Sequence, residues 1–246
     1  MNFKSIRQPA LPILPVQSTD EPRLFWPTLA ATCLSWLCLV LALLVPLSLP
    51  TLAVAQPPKI IYIQPLLPAP SPDVIEAVRD GLLAFYPVQV RQLPAIPMPQ
   101  SAWHAPRARW DADVLLPWLV QRLPADGAKI LGLTQDDIFT HDAKLGLWGV
   151  LGLGTMDGKS NVISTFRAKR GVDVAQLLVR IAKVAVHEVG HNFGLDHCEQ
   201  TRTCLMSSAQ HRVKSIDAEV DLCPACRAQL RASGVEVPAA AGKRWR

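Results

Sequence analysis

The sequence is short of charge and shows no long basic run. Charged residues fill 18% of its 246 positions, and the net formal charge of +5 is spread along the chain. Nowhere do basic residues alternate with aromatics over a stretch, so the usual footprint of a nucleic-acid-binding surface is missing. The small group Lys243, Arg244 and Arg246 reads as a solvated tail. No internal repeat is present, so an array of stacked units is not expected. Residues 28–55 lack any charged side chain, and Lys4, Arg7 and Arg23 precede them. A polar face is therefore missing as well, which argues against a buried core helix there.

That order fits an export segment: basic residues, an apolar stretch over Leu34–Leu49, then the small residues Ala53-Val54-Ala55. The apolar stretch is also long enough for an uncleaved anchor, with membrane association through residues 28–49. Pro46 and Pro50 favour the cleaved form, because they break a helix just before the small residues. Residues 1–56 are thus expected to be a signal peptide or N-terminal membrane anchor. The remainder, 57–246, is expected to be one domain outside the cytoplasm: periplasmic, extracellular or tethered at the membrane.

Half of the residues are apolar, enough for a sizeable core. Lys59–Gln64 has the β-branched content of a buried strand. Ser71-Pro72-Asp73 predicts a helix start with a capping serine, and that helix runs to about Phe85. Val88–Leu93 predicts a second strand, and the proline-rich stretch to Pro106 reads as loop. Ala112–Leu123 has helical spacing with Pro117 kinking or dividing it. Lys129–Leu133, Trp148–Leu153 and Val162–Arg167 predict three further strands. Strands alternating with helices imply an α/β layered domain with a mixed sheet.

Residues 187–197 read HEVGHNFGLDH. On a helix His187 and His191 project from one face and can share a metal ion. Val174, Leu177, Leu178, Ile181, Val184 and Ala185 form the apolar stripe of that helix, and the two histidines flank it. Glu188 falls within the stripe, where an ionised carboxylate is costly without a partner. Gly194 suits a helix end with positive φ, after which the chain can bring His197 back to the same ion. Three imidazoles leave a fourth position for water, the pattern of a catalytic zinc site. Zinc acidifies such a water, and Glu188 would take its proton as general base during attack on a peptide carbonyl. His104, His141 and His211 have no metal spacing and read as surface or loop residues.

After His197 come Cys198 and Cys204, then Met206, then Cys223 and Cys226 in a CPAC run. Two thiol pairs suit a tetrahedral structural zinc. In an oxidising compartment the same four could instead form two disulfides. Zinc is favoured because the spacing matches metal sites and bound metal protects thiolates. Two zinc ions per chain are expected, or one if disulfides form.

HExxHxxGxxH followed directly by cysteine, then C-x-M and CxxC, resembles the archaemetzincins, a branch of the metzincin peptidases. The resemblance is specific over residues 187–226 and looser before them. It implies a compact metzincin-like α/β domain with a mixed sheet, an active-site helix and a C-terminal zinc-stabilised subdomain. It also implies that His187, His191 and His197 bind the catalytic zinc with Glu188 as base. Met206 would form a methionine turn beneath the metal, and Cys198, Cys204, Cys223 and Cys226 would hold the second zinc. An edge strand would line the cleft and pair with extended substrate, with Val162–Phe166 as the candidate. Five residues separate Cys198 from Cys204, one more than the resemblance leads one to expect.

The functional expectation is a zinc peptidase, endopeptidase or aminopeptidase, acting on a peptide or protein. The alternatives are a zinc-stabilised binding module with incidental hydrolysis, which intact Glu188 weighs against, and a zinc amidohydrolase on a non-protein amide. An aminopeptidase needs an acidic residue for the substrate amino terminus. Asp136, Asp137 and Asp142 are candidates by composition, and each otherwise reads as a solvated loop residue. Trp103, Trp110, Trp118, Trp148 and Trp245 read as packing residues rather than cleft lining. No long pro-segment with a spare cysteine precedes the domain, so latency by thiol blocking is not expected.

Overall fold

The computed structural model describes residues 59–209, 212–239 and 241–245. The segment expected to serve export or anchoring, residues 1–56, and His211 lie outside them. Among the described residues, no helix is long and apolar enough to cross a membrane.

The first strand, β1 (Lys59–Leu67), is longer than expected and buries Ile61 to Leu66 without interruption. Such a run suits a strand covered on both faces. It also lies inside its sheet, paired along both edges. The parallel strands β2 (Val88–Gln92) and β6 (Gly127–Thr134) flank it, and β10 (Ser160–Ser164) lies parallel beyond β6. The order is β2-β1-β6-β10-β9, closed by antiparallel β9 (Gly152–Gly154) at the edge. A short β3 (Ile96–Pro97) pairs with the end of β1. A second mixed sheet contains β4 (Trp103–His104), β5 (Arg109–Asp111), β7 (Ile138–Asp142) and β8 (Gly146–Val150), in the order β4-β5-β7-β8.

Alternation along the central strands sends side chains into two cores. Ile61, Ile63, Leu131, Leu133 and Ile163 meet helices α1 (Pro72–Phe85) and α4 (Val174–Asn192) on one face. Tyr62, Leu66, Ile130 and Val162 meet α2 (Ala112–Val120) on the other. Helix α1 offers Val74, Ile75, Val78, Leu82 and Phe85 at helical spacing, each gaining roughly 1.5–3 kcal/mol on full burial. The described residues also form the short α-helices α3 (Thr165–Ala168), α5 (Ser215–Ala218) and α6 (Pro224–Ala232).

Several expectations need correction. Ser71 precedes α1 in extended conformation, but its side chain does not cap; its carbonyl accepts from Val74 and Ile75. Helix α2 runs through Pro117 undivided and stops at Val120, with the Asp111 carboxylate capping Asp113 and Val114. The proline-rich stretch holds β3 and β4. Trp148–Leu153 is two strands in different sheets, parted at Leu151. Val162–Phe166 is not the edge strand, because β10 ends at Ser164 and β9 covers its outer side. The Ser164 hydroxyl accepts from Phe166 and turns the chain into α3, so Arg167 is helical. The apolar stripe of α4 becomes buried only from Ile181 onward, and Val174 is exposed.

Candidate metal centre and active site

Asp173 caps the first turn of α4, and the helix carries His187 and His191 at its far end. It closes in a Schellman arrangement: Gly194 N–H donates to His191 O and Leu195 N–H to Gly190 O, both at 3.0 Å. Gly194 adopts φ +85°, which explains why glycine stands there. The reversed chain returns His197, whose ring centre lies 5.2 Å from that of His187 and 4.9 Å from that of His191.

Backbone carbonyls fix the orientation of both helical imidazoles. His187 Nδ1 lies 2.6 Å from Leu205 O, and His191 Nδ1 lies 2.6 Å from Leu195 O. A carbonyl only accepts, so each Nδ1 carries the proton and each Nε2 presents a lone pair. The two Nε2 atoms converge at 3.1 Å. Neither can donate to the other, so this approach is repulsive without a cation between them. A tetrahedral zinc with nitrogens at about 2.0–2.1 Å sets them about 3.4 Å apart, close to what is found. Protonation offers little relief. Burial, then the neighbouring rings, push His187 well below the ordinary imidazole range and His191 down to about 4. Burial lowers His197 too.

Glu188 is 7% exposed, and burial raises its carboxyl to about 8 while a backbone hydrogen bond from Gly154 acts the other way. Edge strand β9 lies directly against it. A Cβ on Gly152 would stand 2.7 Å from the Cγ and Oε1 atoms of Glu188. Met206 is fully buried beneath the helix, with its sulfur 2.6 Å from where a Cβ on Gly190 would be. Tyr86 donates to Val186 O at 2.7 Å and braces the same turn from α1. Sequence reasoning missed Tyr86, Gly190, Gly152, Gly154 and the carbonyls of Leu195 and Leu205. Of these, only Gly190 carries a local signal, being a residue without a side chain immediately before His191 in the motif.

The four cysteines also meet. Cys198 and Cys223 have sulfurs 3.6 Å apart, and Cys204 and Cys226 3.7 Å apart. A disulfide needs about 2.05 Å, whereas a tetrahedral zinc with sulfurs at about 2.3 Å spaces them about 3.8 Å apart. All four are free thiols, three of them buried. Hydrogen bonds from the Cys226 thiol and the Cys223 N–H draw Cys204 below the ordinary thiol range. The five-residue loop from Cys198 closes without disturbing the cluster, and Cys198 N–H donates to Met206 O at 2.7 Å, joining the two sites.

The remaining expected residues serve elsewhere. Asp137 is buried between Arg167, which it grips at 2.7 and 2.9 Å, and Arg109 at 2.9 Å, so it is no solvated loop residue. Asp136 accepts from the Trp110 indole, and Asp142 accepts from Lys144 and Leu145 in a tight turn. His141 is not isolated: its Nε2 lies 2.8 Å from Asp111, beside Asp113, on the exposed start of α2. His104 packs edge-on against Phe139. Trp245 stacks on Phe85 and Trp103 leans on Trp110, both as packing contacts.

Residues 98–232, more than half of the chain, match the model of peptidase family M54. The chain belongs to that family. Within M54, it is 30% identical over 160 residues to an archaemetzincin from Natronomonas pharaonis, covering 61% of this chain and 88% of that one. It is 29% identical over 172 residues to the archaemetzincin of Archaeoglobus fulgidus, covering 70% and 98%. A crystal structure of the A. fulgidus protein complexed with malonate matches with TM-score 0.59 at 28% identity, over 70% of this chain and 99% of that one. The archaemetzincin of Methanopyrus kandleri matches with TM-score 0.63 at 23% identity, over 73% and 98%, and shares the fold. This M54 member is therefore a zinc metallopeptidase acting on peptides or proteins, built on an α/β fold with two mixed sheets. Membership sets the binding-module alternative aside.

Proposed function

We propose that this M54 peptidase cleaves peptide bonds at the centre formed by His187, His191 and His197, with Glu188 as general base, and that its four cysteines hold a second, structural zinc. One observation carries the reading: two imidazole lone pairs, locked by carbonyls, point at one place 3.1 Å apart beside a buried carboxylate. Zinc, when bound, supplies a Lewis acid that activates water and polarises the scissile carbonyl.

The chain's own groups do the rest. Leu195 and Leu205 hold the imidazoles in the ligating tautomer. Glu188 takes a proton from the attacking water and delivers it to the leaving amine. Burial favours that traffic by lifting the carboxyl from the acidic range towards neutrality. Substrate lies along β9. Ser164 N–H donates to Leu151 O, and Thr155 N–H donates to Ser160 O, so residues 151, 153 and 155 face β10. Gly152, between 151 and 153, turns its peptide groups to the open edge, where an extended peptide can pair.

The test is digestion of a mixed peptide library by the zinc-loaded domain beside its Glu188→Gln variant. Cuts made only by the intact protein are expected, and their positions separate end-trimming from internal cleavage. Cleavage at the wild-type rate by Glu188→Gln would remove Glu188 from the mechanism. Residues 28–55 support a further proposal, that the domain works outside the cytoplasm. N-terminal sequencing of the protein from its native membrane fraction and surroundings decides between cleaved and anchored forms.

A further inference from the structure

The edge strand has an unusual composition on the side facing α4. Gly152 and Gly154 share that side, and Leu153 between them packs into the opposite core. Neither glycine adopts a positive φ, so backbone conformation does not require the residue type. Space does. A Cβ on Gly152 would stand 2.7 Å from Glu188 Cγ, 2.7 Å from Oε1 and 2.9 Å from Cδ. The crowded atoms include the stem of the side chain, so a swing of the carboxylate alone would not relieve the contact. A Cβ on Gly154 would stand 2.7 Å from the backbone oxygen of Glu188 and 3.2 Å from Oε2.

We propose that β9 positions the catalytic carboxylate: the side-chain-free surface at Gly152 is the slot in which Glu188 lies. Glu188 fills the volume that strand side chains would otherwise occupy. The strand that pairs with substrate and the group that moves the proton are thereby held in register, with no side chain between them. This inference rests on Glu188 being the base. It adds that Gly152 is a positioning residue, whose identity serves the reaction and not the strand.

Ordinary contact begins near 3.4 Å, so a methyl at 152 must displace the Glu188 stem by several tenths of an ångström. A misplacement approaching 1 Å costs about 10²-fold in rate. The experiment compares Gly152→Ala with wild type as zinc-loaded full chains, together with a thermal-stability cycle over Gly152→Ala, Glu188→Ala and the double variant. The expected result is a kcat about 10²-fold lower with KM changed by less than about threefold. In the cycle, Gly152→Ala should lower Tm when Glu188 is present and leave it nearly unchanged in the Glu188→Ala background, where the methyl enters vacated space. A kcat within about threefold of wild type overturns the proposal, as does an equal loss of Tm in both backgrounds. Should Gly152→Ala alone fail to fold, the double variant decides: folding there supports the slot, and failure there too refutes it. The Tm cycle reads the contact even if Glu188→Gln proves fully active, so loss of the base assignment and loss of the slot give different results.

Discussion

The histidine centre and the cysteine cluster start at neighbouring residues, His197 and Cys198, yet they are built in opposite ways. On the proposed reading the first takes two ligands from a helix and one from the returning chain, and it sits against an open strand edge with a buried carboxylate beside it. The second draws sulfurs from a loop and from Cys223 and Cys226 at the start of α6, and closes on itself with three of four thiols buried. Three ligands leave a metal able to do chemistry, and four leave it able only to hold the chain. The hydrogen bond from Cys198 N–H to Met206 O links the closed site to the open one, because the adjacent Leu205 carbonyl holds His187 and Met206 lies against Gly190, next to His191.

The comparison is broken most severely at the closed site. Cys226→Ser should remove one zinc and destabilise the domain by about 5 kcal/mol or more, since structural zinc binding is largely folding free energy. Metal analysis with thermal denaturation checks this, and unchanged Tm would deny the cluster its role. At the open site, Glu188→Gln should lower kcat by about 10³-fold, equivalent to about 4 kcal/mol of barrier, with zinc content and fold retained. Steady-state kinetics beside circular dichroism checks it.

A third change sharpens the contrast by loosening the segment between Met206 and Cys223. Arg180 is 1% exposed and makes four hydrogen bonds: Asp217 binds it at 2.7 Å twice, and the carbonyls of Ala168 and Arg170 accept from it. Asp217→Asn leaves a buried guanidinium half-paired and should cost about 3 kcal/mol in denaturant unfolding. The same pair predicts acid sensitivity. Arg180 holds the Asp217 carboxyl below its ordinary value, so its stabilisation is complete above the unfolded pKa near 3.8. It is lost as pH falls through the lower folded pKa, and unfolding of wild type should steepen there while Asp217→Asn is flatter. The smallest effect is expected from Gly190→Ala. Its methyl would press on the flexible Met206 side chain, costing about 1–2 kcal/mol of stability and leaving the cysteine cluster intact.

What the sequence made legible follows one rule: features spaced within a turn or two of chain could be read. His187, Glu188 and His191 occupy one stretch of helix, Gly194 announces its end, and the cysteine pairs advertise a tetrahedral site. The central strands are read from the β-branched and aromatic content of Lys59–Gln64 and from Lys129–Leu133, and each extends a few residues further. The rest depends on distant partners. Trp148–Leu153 reads as one strand, and only pairing with Asn161, Val162 and Ile163 sets three-residue β9 apart from β8. Asp137 looks like any loop aspartate until Arg109 and Arg167 arrive from other elements. Gly152 becomes meaningful only once the fold lays Glu188 against it. Ser71 shows the opposite case, a cap residue by type whose hydroxyl makes no capping bond.

Zinc stoichiometry tests the account most directly. Elemental analysis of the purified chain beside His191→Ala and Cys226→Ser should give two zinc ions for wild type and one for each variant. Peptidase activity should be abolished in His191→Ala without loss of fold. A single zinc in wild type that survives in Cys226→Ser, with Cys198, Cys204, Cys223 and Cys226 recovered as disulfides, would contradict the division into one open and one closed site.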